Sequence, residues 1–197
     1  MKNLMQPFST TYDFDSGVLI PQGKLIVRRL SDMADMYQDN QAAKTLVDTN
    51  PLIYEVYNVE LPENEEHVQH CTTILYPGQV GNEYFMTKGH YHEVVNRAEI
   101  YFCLKGKGLL VMQTKEGDFH ALEMVPGTVA YVPPYWAHRT VNTGSEKFVF
   151  FAAYPGDAGH DYGKIETEGF AKVVLAHGSG YRFADNPKYV KPVNTGV

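Results

Sequence analysis

From residue 52 onward, short apolar runs alternate with turn signals spaced roughly eight to twelve residues apart. That pattern predicts short strands closing into a sandwich or barrel. Residues 52–60 and 68–76 are rich in β-branched and aromatic residues, and the second run stops at Pro77-Gly78. Ile100 to Leu104 runs into Lys105-Gly106-Lys107-Gly108, and Leu109 to Thr114 answers it across that turn. Lys115-Glu116-Gly117-Asp118, Pro126-Gly127 and Asn142-Thr143-Gly144-Ser145 mark further turns, and Phe148 to Tyr154 is an almost wholly apolar strand. Residues 32–48 read differently. Ser31 stands as an N-cap before helix formers such as Ala42, Ala43, Lys44 and Leu46, with Asn40 as the weak point and Pro51 as the stop. The prediction is an all-β barrel over 51–183, an N-terminal arm with a short helix over 1–50, and a polar tail over 184–197 lying loosely on the surface.

Composition narrows the classes. Apolar residues make up 44% of the 197, enough for one real core and against wholesale disorder. A net charge of −6 argues against a nucleic-acid surface and leaves room for a local cationic pocket. No stretch approaches membrane-spanning length and the N-terminus lacks an apolar leader, so the expected location is the cytoplasm. Cys71 and Cys103 lie in strand-like runs and read as buried thiols of a reducing compartment.

The densest chemistry is His90-Tyr91-His92, followed by Glu99 and later by His138. In an extended strand, residues two apart share a face, so His90 and His92 aim into one space and Tyr91 away from it. With Glu99 and His138 they form three nitrogens and one oxygen, a set that suits iron(II), manganese, nickel or zinc. Glu99 and Tyr101, also two apart, share the inward face. His67, His70, His120 and His177 gain no such support and read as ordinary histidines.

The spacing His90-x-His92-x6-Glu99-x6-Gly106, then Gly127-x5-Pro133-x4-His138-x3-Asn142, resembles the two motifs of the cupin superfamily. Tyr135 stands where the second motif usually has glycine, Tyr84 stands six residues before His90 where the first motif has one, and the His-to-Glu spacer is long. Longer segments narrow the resemblance. TKGHYH (87–92), PPYWAHRTVN (133–142), AGHDYG (158–163), VRRLSDM (27–33) and YEVY (54–57) are similar to the cupin-type phosphoglucose isomerases found mainly in archaea, over about residues 25–165.

That resemblance implies a cupin double-stranded β-helix (jelly roll), a homodimer, one divalent metal per subunit with Fe(II) foremost, and interconversion of glucose 6-phosphate with fructose 6-phosphate. It implies His90, His92, Glu99 and His138 as metal ligands, and Glu99, His138 and Tyr154 as catalytic residues. Tyr54, Tyr101, Tyr135, Phe150 and Tyr154 match positions facing the sugar. Thr73, Thr87, Lys88, Gly89, His160 and Tyr162 match the phosphate end. Aldose–ketose isomerisation needs a base beside C1 and C2, and Glu99, the only carboxylate of the set, takes that role through an enediol; a metal-assisted hydride shift is the competing route. Arg139, next to a ligand, reads as the partner of a surface carboxylate. Two other functions fit the same four ligands: a cupin-type iron dioxygenase and a non-enzymatic sugar-binding cupin.

Overall fold

The computed structural model describes residues 4–191. The chain enters as a small hairpin, β1 (Thr11–Tyr12) and β2 (Leu19–Ile20), then β3 (Leu25–Arg29). Helix α1 (Asn40–Val47) follows, then β4 (Leu52–Asn58), β5 (Val68–Leu75), β6 (Gln79–Val80) and β7 (Glu83–Tyr84). The strands β8 (Glu99–Lys105), β9 (Gly108–Gln113), β10 (Phe119–Met124), β11 (Val129–Val132), β12 (Ala137–Val141) and β13 (Phe148–Pro155) form the rest of the barrel. Helix α2 (Gly163–Glu168) and the hairpin β14 (Lys172–His177) and β15 (Gly180–Asp185) complete the described chain.

One wall is a six-stranded antiparallel sheet in the order β11-β8-β13-β5-β4-β3. The facing wall holds β10-β9-β12, extended across β12 by residues 86–90, which pair with it at Met86–Val141 and His90–His138. The order β15-β14-β7-β6 forms a further sheet. Two facing antiparallel sheets around one apolar interior make the cupin barrel that the motifs imply. The core between them includes Leu75, Cys103, Leu110, Val111, Phe148 and Phe150, each at most 2% exposed. Both cysteines are free and buried. Among the described residues, no helix is long and apolar enough to cross a membrane.

The helical stretch departs from the sequence expectation. Two 3₁₀ turns, Leu30–Asp32 and Ala34–Met36, precede α1, and the cap of α1 is Asp39, whose carboxylate accepts from Ala42 N at 2.9 Å. Asp32 instead accepts from Arg29 N at 2.8 Å, which closes the first turn on itself. Burial of Leu30, Met33 and Tyr37 outweighs the helix propensity of the run. Within the segment expected to form a loose tail, residues 186–188 are tied down. Asn186 is buried and donates to Glu168 O and Phe170 O, and Lys188 Nζ donates to Asp35 O and Tyr37 O, each at 2.6 Å. The rest of the expected loose tail, residues 192–197, lies outside the described residues.

The outer face of the six-stranded sheet is covered only in part. The β1–β2 arm brings Tyr12 and Val18 over Tyr57, Ile74 and Val149. Towards β11 the face is bare: Val129 lies opposite Phe102 and Tyr131 opposite Ile100, and all four are 37–66% exposed.

Candidate metal centre and substrate cavity

Strand alternation builds the floor of the site. Every second residue of the six-stranded sheet faces inward: Glu99 and Tyr101 on β8, Phe150, Ala152 and Tyr154 on β13, Cys71 and Thr73 on β5, Tyr54, Val56 and Asn58 on β4, and Ile26 and Arg28 on β3. His138 and Thr140 of β12, with Thr87, Gly89 and His90 beside them, line the opposite wall. His160 and Tyr162 close one side. The cavity holds about 150 Å³. Ile26, Asn58, Tyr154 and His160 also line an outer cleft of about 360 Å³, so the cavity opens to solvent past those four residues.

His90, His92, Glu99 and His138 each bring one ligand atom to a common point, all within 4.8 Å of one another. His92, Glu99 and His138 are at most 4% exposed. The arrangement fits a cation better than a hydrogen-bonded cluster. His90 Nε2 is buried with no hydrogen-bond partner among the described residues. His138 Nε2 stands 2.9 Å from Glu99 Oε2 without the alignment of a hydrogen bond. His92 Nε2 lies 3.2 Å from the same oxygen, while its Nδ1–H donates to Arg97 O at 2.9 Å. That outer bond selects the tautomer whose Nε2 lone pair points inward, as metal-bound histidines require. Arg97 is itself held by Asp157, with Nε–Oδ1 at 2.9 Å and Nη2–Oδ2 at 2.6 Å.

The loop behind the ligands is pinned by backbone bonds. Tyr91 N donates to Asp161 O at 3.0 Å and Asp161 N to Tyr91 O at 2.8 Å. This pair sets His160 against His90, ring centres 4.4 Å apart, and Tyr162 5.8 Å from His90. Gly159 adopts φ +64°, and a Cβ there would stand 2.6 Å from the Glu93 carboxylate, so only glycine lets the loop pass.

The electrostatics follow from burial and the cluster. Burial alone would push the Glu99 carboxyl up, but His138 beside it and the contacts with His138 and His92 outweigh that and hold it well below the ordinary carboxylate range. Burial, then the neighbouring imidazoles, keep His90 neutral well below its usual value. Burial also opposes the charge on His92, yet its contact with Glu99 raises it above the usual histidine range. Burial lifts Tyr54 to about 12, and burial followed by buried thiol and carboxylate neighbours lifts Tyr154 further, so both phenols keep their protons.

Most of the residues marked from the sequence meet in this cavity: Tyr54, Thr73, Thr87, Gly89, Tyr101, Phe150, Tyr154, His160 and Tyr162 line it beside His90, Glu99 and His138, with His92 behind them in the ligand cluster. Two are placed elsewhere. Lys88 sends its ammonium to Glu166 at 2.5 Å. Tyr135 is 61% exposed at φ +73°, a left-handed turn position that explains why the related motif carries glycine there. Arg139 is a correction. It is 5% exposed and, among the described residues, pairs with no surface carboxylate; its guanidinium lies over the Phe170 ring at 4.5 Å. Sequence reasoning passed over Arg28, Asn58 and Thr140. Arg28 lies directly opposite Tyr54, so one alternation step from a marked residue would have found it.

The pKa directions make a testable statement about metal affinity. A raised His92 keeps its proton to a higher pH than usual, and a cation must displace that proton; a lowered His90 adds no competing proton until well below neutrality. Titrating metal-free protein with Zn²⁺ from about pH 7 to about pH 6 should therefore lower the apparent affinity as His92 takes up the proton that the cation must displace. A flat profile, or an affinity that rises towards pH 6, contradicts the assignment.

Comparison with known proteins places this geometry. The family model described as Glucose-6-phosphate isomerase (GPI) matches residues 27–191. The glucose-6-phosphate isomerase of Thermococcus gammatolerans is 53% identical over 93% of this chain and 97% of its own length. That of Pyrococcus furiosus is 52% identical over 94% and 98%. Among solved structures, an oxalate oxidase in complex with the substrate analogue glycolate aligns at a TM-score of 0.48 and 14% identity, over 59% of this chain and 58% of its own. The match to the family model and the extent of these identities show that the chain belongs to the glucose-6-phosphate isomerase family.

Proposed function

We propose that this protein interconverts glucose 6-phosphate and fructose 6-phosphate, with C1 and C2 of the open-chain sugar beside Glu99 and the phosphate towards Thr73, Thr87 and Gly89. The observation that carries the reading is one buried cavity joining a carboxylate-bearing ligand cluster to hydroxyls, a glycine backbone and the Arg28 cation. An open-chain sugar phosphate needs both ends.

His90, His92, Glu99 and His138 would hold a divalent cation, Fe(II) by preference, with Mn, Ni or Zn acceptable to the same donors. When bound, it polarises the sugar carbonyl and makes the adjacent C–H acidic. Glu99, ionised throughout the neutral range, removes the proton from one carbon and returns it to the other through an enediol. His138, 2.9 Å from Glu99 Oε2, positions the carboxylate. Tyr154 stays a neutral phenol at the cavity mouth and shuttles the hydroxyl proton between O1 and O2. Tyr54, Tyr101 and Phe150 bound the sugar and shield it from water, while His160 and Tyr162, expected at the phosphate end, stand with ring centres 4.4 and 5.8 Å from that of His90 and so bound the sugar as well. Free, buried Cys71 and Cys103 accord with a cytoplasmic setting.

The homodimer belongs to the same reading. Val129, Tyr131, Ile100 and Phe102 form an uncovered apolar stripe on one sheet face, a surface suited to a second copy. Tyr131→Glu with Val129→Arg should convert the dimer to monomer by sedimentation equilibrium; an unchanged dimer excludes this face.

A coupled assay on fructose 6-phosphate, run before and after chelation and without oxygen, tests the function. Activity should vanish on chelation, return with a divalent ion and need no oxygen; no turnover with any metal defeats the reading, and a strict oxygen requirement favours a dioxygenase. Glu99→Gln should lower kcat by about 10²–10⁴, the usual contribution of a general base. A loss under tenfold would remove Glu99 from that role.

A further inference from the structure

Residues 86–90 do not pair regularly with β12. Met86 lies opposite Val141, so regular antiparallel pairing would set Gly89 opposite His138, yet His90 takes that place. Between the Thr87 N–Thr140 O bond at 2.9 Å and the His90–His138 pair, two residues, Lys88 and Gly89, face one, Arg139. Two against one is a β-bulge. In a regular strand, residues three apart point to opposite faces. Across this bulge, Thr87 and His90 both line the cavity. The bulge thus brings a hydroxyl from the proposed phosphate end and an imidazole from the ligand cluster into one space.

Arg139 braces the bulge from the far side of β12. Its Nη2 donates to the Lys88 carbonyl, which the bulge leaves without a partner on β12, and its Nη1 lies 3.1 Å from Met86 Sδ. Phe170 covers the guanidinium. Gly89 adopts φ +75°, and a Cβ there would stand 2.8 Å from Arg139 Cβ and 2.9 Å from His138 O. Arg139 and Gly89 therefore fit each other closely. Glu83, 1% exposed and anchored by Gln38 N at 2.9 Å, supplies the nearby negative charge.

We infer that Arg139 is a positioning residue: by holding the Lys88 carbonyl it fixes the bulge, and the bulge fixes the distance between the Thr87–Gly89 end and His90 to suit a six-carbon sugar phosphate. The inference rests on the isomerase reading above. Arg139 touches neither sugar nor ligand atoms, so its loss should weaken substrate binding more than it slows chemistry.

The test compares Arg139→Met, Arg139→Lys and the double variant Glu83→Gln/Arg139→Met, which leaves no buried carboxylate without its cation. Steady-state kinetics on fructose 6-phosphate, thermal melting and bound metal per chain are measured for each. For Arg139→Met and for the double variant, KM should rise about tenfold with kcat changed less than threefold, the pattern of lost binding rather than lost chemistry. Metal content should match wild type. Arg139→Lys, which keeps the charge and one donor, should fall between. A KM within threefold of wild type in any folded methionine variant, a kcat loss exceeding the KM rise, or loss of the metal overturns the inference. A wild-type protein without turnover overturns the isomerase reading itself, and this inference with it.

Discussion

The structure depends on placing three imidazoles and one carboxylate, three of the four buried, around a single point. Stripping water from such groups costs several kcal/mol per charge unless each finds a partner. The fold meets that demand from outside the point. Arg97 O fixes the His92 tautomer, Asp157 fixes Arg97, and the Tyr91–Asp161 backbone pair holds the ligand segment against the 158–163 loop. The partnerless Nε2 of His90 is the clearest sign of a centre built to hold a cation.

That constraint shapes the chemistry. The contacts that keep Glu99 ionised also lower its basicity, so the two duties proposed for it, ligand and base, compete. A carboxylate so held can take a proton from carbon only when the carbonyl beside that carbon is strongly polarised. Proximity of the same residue to the cluster and to the cavity is therefore the requirement and the compromise of the site. The neutral phenol of Tyr154 suits the smaller task of moving a proton between oxygens.

Much of this was legible in the chain because β alternation is a strict rule. His90 with His92, and Glu99 with Tyr101, share faces by spacing alone, and the apolar runs mark β4, β5, β8, β9 and β13 to within a residue or two. What escaped depends on local events that spacing does not encode. The one-residue slip at Lys88–Gly89 turns Lys88 outward to Glu166 and Thr87 inward. The left-handed turn at Tyr135 sends a marked aromatic to solvent. Arg139 looked like a surface cation because nothing in sequence shows the bulge it fills. Arg28 sat within a motif already noted, but its role in the cavity needs the pairing of β3 with β4. The helix start moved from Ser31 to Asp39 because burial of Leu30, Met33 and Tyr37 overrode propensity.

The central claim is that Glu99 carries a proton between C1 and C2 at this centre. Converting fructose 6-phosphate in deuterated water and analysing the hexose phosphates by NMR at partial conversion tests it most directly. The account predicts solvent deuterium at C2 of the glucose 6-phosphate formed, falling away in step with activity in Glu99→Gln. Full conversion with no deuterium at C1 or C2, under conditions where the buried site is shown to exchange with solvent, would instead establish a hydride shift and contradict the role given to Glu99.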